Sequence, residues 1–264
     1  QLSGARHPIL LEREPDDVVP LHVRLGDPHR VLVVTGPNTG GKTVVLKTVG
    51  LNVLMAMSGL PVAAAAGSRV PCYTNVFVDI GDEQSIEQSL STFSSHLKQI
   101  MDVLAGADEH ALILLDELGS GTDPIEGAAL GRALLDKFRN KRWNAIITTH
   151  IGSLKEYAYT HDGVENAAME FDNRSLKPTY RLFMGVPGSS NALAIARRIG
   201  LDPEVLQAAE REMCFSCVAA HRATGEMVLL LAEQQIDLAE TTRRAATPRP
   251  LSFTQERLWK TGAL

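Results

Sequence analysis

The chain has 264 residues, 44% of them hydrophobic and 22% charged, with a formal net charge of −5. This profile excludes a disordered, collagenous or disulfide-stapled protein and supplies apolar material for a sizeable core. No stretch approaches the roughly 20 uninterrupted apolar residues of a membrane span, and the polar start Gln1-Leu2-Ser3-Gly4 lacks a signal-peptide pattern, so a cytoplasmic location without a membrane partner is expected.

Residues 1–30 are rich in proline and charge and predict irregular structure or short edge strands. Val31-Leu32-Val33-Val34 is an apolar run that suits a buried strand. From Lys42 to Ser58 apolar residues recur at helical spacing, and Gly59-Leu60-Pro61 supplies the stop. Val76-Phe77-Val78 reads as a strand, Ile86 to Leu104 as a long amphipathic helix, and Ala111 to Leu115 as a second fully apolar strand. Pro124 opens a helix that runs to Phe138, with the proline in its first turn. Ala145 to Thr149 is the third buried strand, Val164 to Leu182 a hairpin broken at Asp172-Asn173, and helices resume at Asn191 to Ile199 and Pro203 to Arg211. Buried strands alternating with amphipathic helices predict an α/β domain with a mainly parallel sheet flanked by helices. After Glu212 the acidic excess disappears; one helix is expected from Glu226 to Glu240, so residues 213–264 read as a helical or irregular tail on a domain spanning 1–212. The first residue is Gln rather than Met, which suggests an excised piece of a longer protein.

Three places carry chemistry. Gly36-Pro37-Asn38-Thr39-Gly40-Gly41-Lys42-Thr43 fits G-x-x-x-x-G-K-[ST] between a predicted strand and a predicted helix, the context that a phosphate-binding loop requires. The glycines let backbone N–H groups turn inward around a phosphate, Lys42 neutralises the β- and γ-phosphates, and the Thr43 hydroxyl is suited to Mg²⁺, so a P-loop NTPase using ATP and Mg²⁺ is expected. Leu112-Ile113-Leu114-Leu115-Asp116-Glu117 ends a buried strand in two carboxylates. Asp116 would hold Mg²⁺ through water, and Glu117 would polarise the attacking water as general base. Thr148-Thr149-His150 closes the third strand, and in a parallel sheet such ends share the edge with the phosphate loop, within reach of a γ-phosphate or the water beside it.

The stretches TGPNTGGKTVVLKTVGL, DIGDEQSIEQSLSTFSSH, LLDELGSGTDPIEGAAL, TTHIGSLKEYAY and YRLFMGVPGSSNALAIARRIGL together resemble the ATPase domain of the MutS family. They look most like the bacterial MutS-two branch, over about residues 4–212. The resemblance implies an ABC-type ATPase in which two copies sandwich two nucleotides and each completes the other's site. It implies that Lys42 and Thr43 hold phosphate and Mg²⁺, that Asp116 and Glu117 are the acidic pair, and that His150 is the switch histidine. It assigns Ser91 and Thr92 to the signature that reaches the partner's γ-phosphate, Gly119 to Pro124 to a subunit-crossing loop, and Gln84 to sensing Mg²⁺. From residue type alone, Ser91 and Thr92 read as helix caps. Branched or mismatched DNA, or stalled ribosomes, are the implied partners of the homodimer, with recombination as the setting. Full-length members carry lever and clamp helices and a C-terminal nuclease domain, for which this chain has no room, so any endonuclease activity is expected to lie outside it. The family's Asn-Asp element before the phosphate loop is replaced here by Val19-Pro20-Leu21-His22.

Two other classes compete: a nucleotide-gated clamp with little turnover, and a different ABC-type ATPase, disfavoured by LSTFSSH in place of LSGGQ. Three cysteines are too few for a framework and are expected to be reduced; Cys214, Cys217 and His221 have the spacing of zinc ligands but lack a fourth. Met55, Met57 and Met101 lie on apolar faces and are expected in the core, and Arg243, Arg244 and Arg249 read as a solvated basic patch.

Overall fold

A computed structural model describes residues 1–37, 40–81, 89–172, 175, 177–188 and 192–212. Asn38, Thr39, Gln84, the cysteine–histidine spacing, the arginine patch and the helix expected at 226–240 lie outside the described residues. In chain order the elements are β1 (Leu2–Ala5), α1 (Pro8–Arg13), β2 (Leu21–Val23), β3 (Val31–Thr35), α2 (Lys42–Met57), β4 (Asn75–Asp79) and α3 (Ser89–Gly106). There follow β5 (Ala111–Leu115), α4 (Pro124–Lys141), β6 (Asn144–Thr148), α5 (Gly152–Thr160), β7 (Val164–Asp172), β8 (Lys177–Met184) and α6 (Ala192–Arg198). A last helix, α7, covers residues 203–212.

The main sheet runs β4-β5-β6-β3-β7-β8. Every neighbouring pair is parallel except β7 and β8, so the sheet is mostly parallel and mixed at one edge. Successive residues of a strand face opposite sides, and the two cores record this directly. Leu32, Val34, Leu112, Leu114 and Ile146 meet Val45, Leu46, Val49 and Val53 of α2 on one face. Val31, Val33, Ile113, Leu115, Ala145 and Ile147 meet Ile100 and Val103 of α3, Leu134, Leu135 and Phe138 of α4, and Leu154 and Tyr157 of α5 on the other. All five residues of β3, β5 and β6 are buried, as strands covered on both faces must be. α4 is delimited by local chemistry: the Asp123 carboxylate accepts hydrogen bonds from the N–H groups of Ile125 at 2.9 Å and Glu126 at 3.2 Å, and Pro124 opens the first turn.

Two expectations change and one is extended. Residues 1–30 hold a short helix, α1, beside β1 and β2, which pair antiparallel. The expected hairpin is present as antiparallel β7 and β8, and β7 also pairs parallel with β3 from Val31↔Val164 to Thr35↔Ala168 and so extends the sheet. Met57 and Met101 are 43% and 65% exposed rather than in the core. α2 is apolar on nearly every side, so its periodicity does not select which side the sheet covers.

Two compact units divide the chain, Gln1–Ala194 and a second beginning at Ile195. In the second, the Arg197 guanidinium pairs with the Glu210 carboxylate, joining α6 to α7. No helix among the described residues is long and apolar enough to cross a membrane.

Candidate functional site

Strand order assembles the site. β5, β6 and β3 are consecutive and parallel, so Asp116-Glu117, Thr148-Thr149-His150 and the Gly36–Thr43 loop leave the sheet at one edge, where ligands of open parallel sheets gather. Gly36 has φ +138° and Gly41 has φ +88°, backbone that L-residues rarely adopt. A Cβ on Gly36 would lie 2.9 Å from the Met169 Cβ, and one on Gly41 3.1 Å from the Tyr180 ring, so the β7–β8 hairpin walls the loop. Pro37 is half-buried and Gly40 buried within the same turn.

Lys42 opens α2, is only 3% exposed, and its ammonium donates to the Gly36 carbonyl at 3.0 Å. Burial pulls this ammonium below the ordinary lysine range; the Glu117 and Asp116 carboxylates act in the opposite direction, and the Lys155 ammonium adds to the lowering. A phosphate there would relieve both the desolvation and the repulsion between the two cations. Thr43 Oγ1 donates to Asp116 Oδ2 at 2.5 Å, and Thr148 Oγ1 donates to Asp116 Oδ1. The Thr148 hydroxyl also accepts from the Glu117 N–H at 2.8 Å, so one hydroxyl joins both members of the acidic pair. Glu117 has φ +51°, a conformation that costs a non-glycine residue about 1–2 kcal/mol. Hydrogen bonds on both sides hold it there: Leu118 N–H donates to the Thr148 carbonyl at 2.9 Å, and Ser120 Oγ donates to the Glu117 carbonyl at 2.7 Å. The turn carries Glu117 away from buried Asp116 to a half-buried position.

His150 follows β6 and is exposed. Ser91 and Thr92 lie in the first turn of α3. Thr43, a hydroxyl, and Asp116, a carboxylate, are hard oxygen donors in direct contact, and this donor set suits Mg²⁺. Among the described residues there is no cluster of three or more His, Cys, Asp or Glu that would form a cage of protein ligands.

Sequence reasoning missed three participants. Thr148 reads only as a strand residue, and its bond to Asp116 depends on β5 and β6 being neighbours. Lys155 on α5 donates to the Gly188 carbonyl at 3.1 Å, and Gly188 N–H donates to Thr35 Oγ1 at 2.8 Å, directly before the glycine-rich loop. Nothing in its spacing marks it. His96 Nδ1 lies 2.6 Å from Asp79 Oδ2, and both residues line a small cavity with Asp116, Glu117 and Ser120.

Fold and site together define a mostly parallel α/β domain that gathers a glycine-rich loop, a buried lysine and an acidic pair on one sheet edge. Residues 32–214 match MutS domain V, and the chain belongs to the MutS family. It is 55% identical over 212 residues to "Endonuclease MutS2" of Shouchella clausii, covering 80% of this chain and 27% of that protein. The protein of the same name from Pelotomaculum thermopropionicum is 51% identical over 245 residues, covering 93% of this chain and 30% of the relative. That of Clostridium botulinum is 50% identical over 240 residues, covering 91% and 30%. The chain thus spans less than a third of the length of the curated relatives it matches.

Proposed function

We propose that this chain is an ATP-binding and ATP-hydrolysing P-loop domain of ABC type that works as a homodimer, with residues 1–212 as the ATPase domain and 213–264 as a tail. The observation that carries the reading is the convergence of Lys42, Thr43, Asp116 and Glu117 at one edge of the parallel sheet, after β3 and β5 with β6 between them. In the reaction, Lys42 and the loop N–H groups bind the β- and γ-phosphates. Water attacks the γ-phosphorus, Glu117 takes its proton, and the bond to the β,γ-bridging oxygen breaks to give ADP and phosphate. When bound, Mg²⁺ supplies charge neutralisation on the phosphate oxygens. Thr43 and Asp116 would hold it, Asp116 through water. Thr148 keeps Asp116 and Glu117 in fixed relation, and His150 stands at the same edge to contact the γ-phosphate or the water. Ser91 and Thr92 complete the site of a second copy.

The relatives are named endonucleases, so the larger protein is read as acting on nucleic acid, with branched or recombining DNA as the first substrate and a stalled ribosome as the other; any nuclease activity lies outside this chain. The test is steady-state ATP turnover with and without each polymer, beside Glu117→Gln. The variant is expected to bind ATP normally and to lose turnover by about 10²–10⁴-fold, since the amide keeps the shape and loses the basicity. Unchanged turnover in the variant would move the base elsewhere. Tight ATP binding with no turnover in the wild-type chain would favour the clamp reading.

A further inference from the structure

The ATPase reading leaves open what sets the first turn of α3, which must serve a nucleotide held by another copy. The far half of this helix is fixed by apolar burial: Ile100 is 7% exposed and Val103 2%. Nearer the start, fixation is polar. His96 Nδ1 lies 2.6 Å from Asp79 Oδ2, with the two side chains 16% and 13% exposed. Asp79 ends β4, and its backbone carbonyl accepts from the Asp116 N–H at 2.8 Å. One residue therefore touches the acidic pair through its backbone and α3 through its side chain. Phe93, His96, Leu97 and Ile100 line one side of a cavity whose other side is Asp116, Glu117 and Ser120. A Cβ on Gly121 would approach the Phe93 Cβ to 3.5 Å, so the loop after Glu117 also lies against the first turns of α3.

We propose that Asp79 and His96 form a positioning pair that anchors the Ser91–Thr92 turn of α3 to the strand beside the acidic pair, so that each copy presents this turn correctly to its partner's ATP. The inference rests on the dimeric ATPase reading. A bond between an imidazole N–H and a sheltered carboxylate is short and directional, and it restrains both distance and rotation of a helix where apolar packing restrains mainly distance. His96 lies one turn beyond Thr92, close enough for that restraint to reach the signature residues. The carboxylate and the ring act on a partner's site and leave their own phosphate loop unaltered.

The experiment uses the whole chain with His96→Ala, Asp79→Ala, the double variant and His96→Asn, whose amide returns an N–H near the Nδ1 position. Affinity is read with a fluorescent ATP analogue, turnover by phosphate release, and folding by thermal melting. His96→Ala and Asp79→Ala are each expected to keep ATP affinity within about twofold and to lose turnover by roughly tenfold to a hundredfold, the cost of misplacing a reacting group by about an ångström. The double variant should be no worse than either single one, because the pair acts as a unit. His96→Asn should recover most of the loss.

Mixing His96→Ala with Lys42→Ala protein separates action on the partner from action at home. The mixed dimer joins the intact loop of the first to the intact α3 of the second, and turnover should return. Wild-type turnover in His96→Ala, a parallel loss of affinity, or no recovery with His96→Asn would each overturn the proposal. So would a mixture that stays inactive while a parallel mixture of Ser91→Ala/Thr92→Ala with Lys42→Ala recovers. Failure of that parallel mixture instead refutes the dimeric reading, since it touches neither Asp79 nor His96.

Discussion

Thr148 shows how much one hydroxyl decides. Replacing it with valine keeps the volume and removes the donor to Asp116 and the acceptor for Glu117 N–H, both sheltered from water. An unsatisfied buried polar group costs about 1–3 kcal/mol, so Thr148→Val is expected to lower the unfolding free energy by that amount in chemical denaturation. Turnover should fall with it, because Glu117 loses one of the bonds that hold φ at +51°. Lys42 makes the opposite point. Its burial is unfavourable in the free protein, and Lys42→Ala is expected to fold at least as well as the wild type. A charge-assisted contact with phosphate is worth more than about 1.5 kcal/mol, so ATP affinity should drop more than about tenfold in a fluorescence titration.

Elements meet at places where a single atom is too many. Gly127 lies in the first turns of α4, and a Cβ there would sit 2.1 Å from the Gly119 carbonyl oxygen. Alanine improves helix propensity by about 1 kcal/mol, but overpacking against backbone costs about 1–3 kcal/mol and also pushes on the loop behind Glu117. The contact wins: Gly127→Ala is expected to lower the melting temperature and reduce turnover together. α4 and α5 are joined by the Tyr157 hydroxyl, which donates to Asp136 Oδ1 at 2.9 Å. Burial, and then the Asp136 carboxylate, push this phenol up to about 12, against an ordinary value of 10.0. The unfolded chain therefore loses the proton first, and the stabilisation is complete below pH 10 and lost as pH rises toward 12. Urea unfolding across that window should show a shallower decline for Tyr157→Phe than for the wild type. The similarly raised Tyr73 remains in both proteins and drops out of the difference.

The dimeric reading concerns two copies rather than one fold, and it has its own test. Ser91 and Thr92 stand on α3, at the β4 side of the sheet, whereas the glycine-rich loop follows β3, with β5 and β6 between. A Ser91→Ala/Thr92→Ala chain should bind ATP and fail to hydrolyse it, and Lys42→Ala should fail to bind. Mixed, they form one complete composite site across a two-fold axis, and turnover should reappear to at most about half the wild-type value. Restored turnover measured against mixing ratio checks this. A mixture that stays inactive where sedimentation finds mixed dimers would refute it.

The glycine-rich loop between β3 and α2, the strand that ends in Asp116-Glu117 and most of the alternation of strands and helices were legible in the sequence because each is local, whereas α5 was not. Glycines before Lys42, four apolar residues before Asp116 and the N-cap of α4 are all decided by neighbours along the chain. The short helix α1, the exposure of Met57 and Met101, and the union of β7 with β3 were not legible, since they depend on which surfaces meet. Thr148, Lys155 and the Asp79–His96 pair escaped for the same reason. Their partners are 32, 33 and 17 residues away in sequence, and each contact follows from strand order or from the docking of a helix beside the site. Periodicity reports that a residue has a side to bury, while only the assembled sheet determines what lies on that side.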